Sequence, residues 1–435
     1  MPELWVNWAG DQRCAPESIE RPAGEDELAE VLGRAAEAGL PVRAAGSGHS
    51  FTDAACTDGV LVDLGGMGRV LDVNGEHVTV EAGITLHELG AQLAACGLAM
   101  ENQGDIDRQT LAGAISTATH GTGARFANLS SQVVRMRLVG AEGEVVECGE
   151  GGEELPAARV GLGALGVIST ITLRCVPLFT VRRVDEPRPL EDTLARFDEL
   201  AGSNDHFEFY VFPYSDTAIV RLSERTERPP EPVDPRRQYF QEVFLENRVI
   251  DAAGRLGRAF PGLVPTVNRT FGRLVGRQVR TDHGYRVYAS RRDVKFTEME
   301  YALPRENGVE AVRRVMEMVE RRHLPVTFPI EVRVVAGDDA FLSTAHGRDT
   351  VYIAVHQYRG IEFESYFRGV ERIMDDYDGR PHWGKRHYQS SVTLSPRYPE
   401  WRRFQAVRAR LDPAGRFQND YTERVLGPVP APVEA

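Results

Sequence analysis

The stretch Gly104–Gly123, GDIDRQTLAGAISTATHGTG, does most to limit what this chain can fold into. It holds almost no bulky side chain, whereas a packed core prefers large ones. Twenty residues of this kind are best explained by backbone wrapped around a large ligand; the bland alternative is a glycine-rich loop with nothing bound. A second small-residue motif lies upstream. The predicted strand Pro41–Ala45 runs into Gly46-Ser47-Gly48-His49-Ser50. Two glycines within three residues permit unusual φ angles and close backbone approach, and such a turn can aim successive amides at an anion. His49 and Ser50 add side-chain hydrogen-bonding groups at the same place, although short turns of this kind are usually only turns. The third motif, Gly161-Leu162-Gly163-Ala164-Leu165-Gly166, is a literal GxGxxG. A dinucleotide fold of the nicotinamide type needs a helix after it. Here Val167–Cys175 follows, β-branched and apolar, so that reading fails. What remains is a turn into a strand, or glycines that let a different cofactor approach the backbone. No GxxxxGK phosphate loop is present.

Around these motifs the first third alternates short strands with helices. Helices are predicted at Glu25–Gly39, with Leu28, Val31, Leu32 and Ala35 on one face, and at Leu86–Ala95. Strands are predicted at Val60–Leu64, His77–Ala82, Val133–Val139 and Glu144–Cys148, the last two flanking a turn as a hairpin. Near Pro177–Pro189 the composition shifts to arginine and proline, which marks a domain boundary. Beyond it, Phe207–Phe212 alternates as a half-buried strand would. Glu227–Arg237, proline-rich and charged, reads as a surface loop or a partly disordered segment. Phe296–Leu303, Phe328–Val335 and Thr350–Tyr358 read as strands, and Gly308–Arg321 and Phe363–Tyr377 as helices. This is an α+β pattern with an antiparallel sheet. A length of 435 residues allows two or three domains. The net charge of −13 disfavours binding to a phosphate backbone, so no nucleic-acid partner is expected. No run approaches the ~20 apolar residues of a membrane span, and the N-terminus lacks the apolar core of a secretory signal. Five scattered cysteines (14, 56, 96, 148 and 175) without CxxC spacing argue against a disulfide framework or a zinc site, and fit a reducing cytoplasm.

The order and spacing of Arg43–Phe51, Gly104–Gly123 and Gly163–Ile168 resemble the vanillyl-alcohol-oxidase-type flavoproteins. More narrowly, the chain resembles the aldonolactone oxidoreductases (L-gulono-1,4-lactone and D-arabinono-1,4-lactone oxidases or dehydrogenases) and their alditol oxidase relatives. The C-terminal hallmarks are His382-Trp383-Gly384-Lys385, Leu411-Asp412-Pro413 and Phe417-Gln418-Asn419. The resemblance implies a two-lobed fold: an FAD-binding domain over 1–178, an antiparallel-sheet cap domain over 179–380 and a segment 381–427 returning to the flavin; the tail 428–435 reads as disordered from its prolines. The resemblance implies FAD as cofactor, cradled by Ala44, Ala45, Gly46, Ser47, Gly48, His49 and Ser50, and lined by Gly104, Thr110, Gly113, Ala114, Ile115, Ser116, Thr117, His120, Ile168 and Lys385. His49 would carry a covalent bond to the flavin, a role that suits a neutral imidazole nucleophile; the alternative is a histidine that only hydrogen-bonds the cofactor. His120 reads as structural rather than as a metal ligand, because no second ligand sits at metal spacing, and no metal is expected.

On the substrate side, Glu331 and Arg333 share one face of a strand. Unaided, that pattern reads as an ion pair; the resemblance makes it a site pair. Glu331 would accept hydrogen bonds from substrate hydroxyls, and Arg333 would stabilise negative charge. Lys385 would favour an alkoxide-like transition state. His356 is the candidate proton acceptor, or else a satisfied core histidine. Tyr358 and Asp105 complete the expected substrate contacts. Asp105 stands where relatives often carry serine; its carboxylate would repel an anionic sugar acid. Gly104 occupies a gate position beside the flavin, and glycine leaves room for O2. The expected activity is FAD-dependent oxidation of a sugar 1,4-lactone to an ascorbate-type product, with O2 or a cytochrome- or quinone-type acceptor as second substrate. An alditol oxidase acting on xylitol or sorbitol, and a non-catalytic flavin-binding protein, are the alternatives.

Overall fold

The computed structural model describes residues 3–231, 247–274, 276–290 and 293–431. Residues 232–237 of the expected surface loop and 432–435 of the expected tail lie outside that set; 428–431 carry no regular secondary structure.

Three sheets organise the chain. The first is parallel, with Val60–Asp63 between Ser18–Glu20 and Val42–Ala45. The helix Glu25–Glu37 buries Leu28, Val31, Leu32 and Ala35 in the same core, the four positions of the predicted stripe. Each large apolar side chain so removed from water contributes about 1.5–3 kcal/mol. The second sheet is antiparallel, in the order Val145–Cys148, Val133–Val139, Val167–Arg174, His77–Glu81, Val70–Asn74. Its first two strands form the expected hairpin, Val139 opposite Val145. GLGALG is a turn into the strand Val167–Arg174, with Leu162, Gly163 and Gly166 all at positive φ.

The third sheet has eight strands: Gln278–His283, Thr180–Pro189, Thr217–Thr226, His206–Val211, Ile330–Val335, Thr350–Tyr358, Phe296–Pro304 and Arg380–Pro381. The residues expected to mark a domain boundary thus form a long strand of this sheet. On one face, Phe207, Phe209, Met299, Val332, Val334 and Ile353 pack with the helices Gly308–Arg321 and Glu364–Asp375. Successive side chains of a strand point to opposite faces, so Glu208, Tyr210, Glu298, Glu300, Glu331, Arg333 and His356 occupy the other. The strand His206–Val211 is not half-buried as its alternation suggested. Its polar face is covered too, because that face closes over the site.

The first core is completed from afar. Trp383, Leu394, Phe404, Phe417 and Tyr421 all pack into the cluster that includes Leu28 and Ile115. Trp383 is fully buried, and its indole N–H donates to the Leu342 carbonyl at 2.7 Å.

Candidate functional site

Two cavities meet at His49, Ser50, Gln109 and Thr117, which line both. The first is walled mainly by small residues: Ala44 to Ser50, Thr110, Gly113, Ser116 and Thr117, then Gly163, Gly166 and Ile168. Gly48 adopts φ +67, and the amides of Ser47, Gly48, His49 and Ser50 have no acceptor among the described residues. That is the arrangement of an anion-binding turn. A Cβ on Gly46 would collide with the Thr110 hydroxyl, so glycine is required there for the two walls to approach. The cradle therefore fits a long, thin cofactor with a phosphate-bearing middle, such as FAD.

Buried Arg43 ties the cradle together. Its guanidinium donates to the carbonyls of Ala54 (2.9 and 2.6 Å), Leu162 (2.8 Å), Gly163 (3.0 Å) and Phe417 (2.6 Å). Burial lowers its pKa to about 10, so it remains charged at neutral pH. Asn419 closes the same loop by donating to the carbonyls of Asp53, Ala54 and Cys56 at 3.1, 3.1 and 2.9 Å.

The second cavity is lined by Gly104, Asp105, His120, Glu331, Arg333, His356 and Lys385, all expected site residues. Glu298, Glu300, His382, Tyr210 and Trp8 line it as well. Arg333 is buried and makes ion pairs with Glu208 (2.8 Å), Asp105 (3.2 Å) and Glu331. Burial raises the Glu331 pKa to about 7; Asp105 and Glu208 push it further up, and Arg333 opposes them. The carboxylates are supplied in register, Glu208 opposite Arg333 and Tyr210 opposite Glu331. A further chain runs from Lys385, ion-paired with Glu298, to His356, whose Nε2 lies 3.5 Å from Glu298. His356 Nδ1 lies 3.2 Å from the Pro329 carbonyl. Burial works against charge on both Lys385 and His356, but the neighbouring carboxylates, Glu298 first among them, together outweigh it and raise both. His49 stacks on Trp8, with ring centroids 5.2 Å apart. Burial, Lys385 and Lys295 lower the His49 pKa to about 4, so the imidazole is neutral at physiological pH.

Three expectations change. Ala114 and Ile115 line neither cavity; they are buried in the first core. The helix Leu111–Ser116 turns Gly113 and Ser116 to the ligand side and Leu111, Ala114 and Ile115 inward, as helical periodicity requires. Tyr358 shares a strand face with His356 but lies one step beyond the cavity, where its hydroxyl donates to Asp251 at 2.7 Å. Finally, His120 is not alone. Its Nε2 lies 3.1 Å from Glu300, and His382 completes a cluster of three candidate ligands. Yet His382 Nδ1 accepts the Gly384 amide at 3.1 Å, which leaves the neutral ring no free lone pair for a cation. The cluster is a hydrogen-bonded pair, His120 with Glu300, beside a neutral His382. Burial opposes the Glu300 charge, but His120 and then His382 hold its carboxyl well below the usual range.

Glu298, Glu300 and Glu208 escaped the sequence reading. For Glu298 and Glu300 the signal was the one that exposed Glu331 and Arg333, charges two apart in an otherwise apolar strand; Glu208 is a lone acid in its strand.

Comparison with known proteins agrees with this geometry. A family profile described as D-arabinono-1,4-lactone oxidase matches residues 171–425, and one described as FAD binding domain matches 16–149. The chain is 57% identical to an L-gulono-1,4-lactone dehydrogenase of Mycobacterium tuberculosis over 98% of its own length and 100% of the relative's. It is 36% identical to the L-gulonolactone oxidase of Bos taurus (97% of each chain) and 30% identical to an alditol oxidase of Streptomyces (97% and 98%). Cholesterol oxidase from Brevibacterium sterolicum shares the fold, with TM-score 0.83 at 16% identity over 98% of this chain and 97% of that one. The chain accordingly belongs to the D-arabinono-1,4-lactone oxidase family of FAD-dependent oxidoreductases.

Proposed function

We propose that this protein oxidises a secondary hydroxyl of a neutral sugar 1,4-lactone. The observation that carries the reading is the convergence of Glu331, Arg333, His356 and Lys385 on a cavity that opens directly into the small-residue cradle. FAD bound in that cradle supplies the hydride acceptor. Glu331 accepts hydrogen bonds from substrate hydroxyls and orients the carbon that loses hydride. Lys385, kept cationic by Glu298, stabilises negative charge on the reacting oxygen. His356 takes the hydroxyl proton and must be neutral to do so. Arg333, with three carboxylates around it, has no unpaired charge to offer an anion, so a neutral lactone is preferred over an open-chain aldonate. His49 stands where the cavities join, and its neutral ring suits a covalent bond to the cofactor. The residue groups 1–178, 179–380 and 381–427 then act as cofactor domain, cap and returning segment. The second substrate is O2 or an electron-acceptor protein, and the unpaired cysteines suit a cytoplasmic setting.

Anaerobic bleaching of the bound yellow chromophore tests the reading. L-gulono-1,4-lactone should bleach the protein and xylitol should not; admission of air then reports whether O2 is the acceptor. Bleaching by xylitol alone would overturn the lactone assignment. Acid precipitation should leave the yellow colour with the wild-type protein and release it from His49→Ala.

A further inference from the structure

The segment from Ile250 to Leu263 reverses the usual arrangement of a surface helix. A helix on a globular protein buries its bulky apolar stripe. Here the helix Ile250–Ala259 lies on the cap through Gly254 and Gly257; a Cβ added to Gly254 would strike the Tyr358 ring, and one added to Gly257 would strike the Thr327 side chain. Its large apolar residue Leu256 points outward and is 38% exposed, and in the turn that follows Phe260 and Leu263 are 58% and 47% exposed.

The charge around them is equally out of character. Between Asn247 and Thr281 the sequence holds seven arginines and one acidic residue, Asp251, in a chain whose net charge is −13. Arg248, Arg255 and Arg258 are exposed on the same segment, where they line a groove with Lys295, Asp251 and Asp293; Arg255 keeps 70% of its side chain in solvent although it pairs with Asp251 at 2.9 Å. Apolar side chains projecting from an arginine-rich surface are what an anionic lipid interface binds: the wedge enters the acyl boundary while the guanidinium groups meet the phosphates. A symmetric dimer through this face would set the same arginines of two copies against each other. Among the described residues no helix is long and apolar enough to cross a membrane, so the contact is with the surface.

We infer that Leu256, Phe260 and Leu263, with Arg248, Arg255 and Arg258, form a docking surface for an anionic lipid membrane. Docking there holds the site close to the bilayer, because Ile250, at the start of the same helix, lines the substrate cavity.

Co-sedimentation of the holoprotein with vesicles tests this. The wild type should pellet with vesicles of equal parts phosphatidylcholine and phosphatidylglycerol and stay in solution with phosphatidylcholine alone. The double variant Phe260→Ser, Leu263→Ser should stay in solution with both. Arg255→Gln with Arg258→Gln should weaken binding about tenfold or more, with salt producing the same loss in the wild type. Val392→Ser, at a 79% exposed residue elsewhere, should bind like the wild type. All variants should keep the flavin spectrum, melting temperature and turnover with a soluble acceptor. Failure of the wild type to prefer anionic vesicles, or undiminished binding by the Phe260/Leu263 variant, overturns the proposal. So does a wild-type dimer that the same substitutions render monomeric, which would give the face to a second copy.

Discussion

Glu298 favours the protonated form of two groups around the substrate cavity. It pairs with Lys385 and lies 3.5 Å from His356 Nε2, and it raises the pKa of each. A proton acceptor works in its neutral form, so kcat/KM should rise with pH through a value above the ordinary 6.5 of histidine. Glu298→Gln removes the anion and should move that limb to lower pH, with kcat lowered at least tenfold; His356→Gln should abolish the limb and cost about 10²- to 10⁴-fold. pH–rate profiles of the three proteins check both statements. A limb unmoved in Glu298→Gln would reduce that carboxylate to a packing role.

At the scale of elements, the cradle depends on carbonyls being gathered by one side chain. Arg43 receives none of its partners from its own strand; they come from the loop at Ala54, the turn at Leu162–Gly163 and the C-terminal Phe417. Arg43→Met should strand these carbonyls, lowering stability by about 3–5 kcal/mol and leaving purified protein deficient in flavin, as denaturant titration and the absorbance ratio would report. Most elements were legible from periodicity. Leu86–Ala95 and Gly308–Arg321 have the predicted ends, because a capping box at Thr85 fixes the first and a continuous apolar stripe fixes the second. The site was legible in part. Glu331 and Arg333 showed themselves as charges at i and i+2, but pairing partners such as Glu208 are chosen by sheet order, which no local pattern encodes. Ala114 and Ile115 were expected at the cofactor because the resemblance carried over residues 113–117 as one block. A short helix, Leu111–Ser116, divides that block into a ligand face and a core face.

For the whole molecule, the order of the chain and the composition of the cores differ. The N-terminal core takes Trp383, Phe404, Phe417 and Tyr421 from the last sixth of the sequence. Ending the chain after Gly379 should therefore prevent the N-terminal half from folding, with neither flavin uptake nor a cooperative melting transition. Ending it after Gly427 should change stability by no more than about 0.5 kcal/mol, since Pro428, Pro430 and Ala431 are exposed. Thermal melts and flavin content of the two truncations distinguish these outcomes. The alternation of the large sheet reaches further still. Val332 and Val334 anchor the helices, while Glu331 and Arg333, on the same strand, face the cavity. Substrate preference can thus drift, by exchange of every second residue along four neighbouring strands, without loosening the hydrophobic layer behind them. A lineage that has learned to fold this way is free to try new polyhydroxylated substrates one side chain at a time.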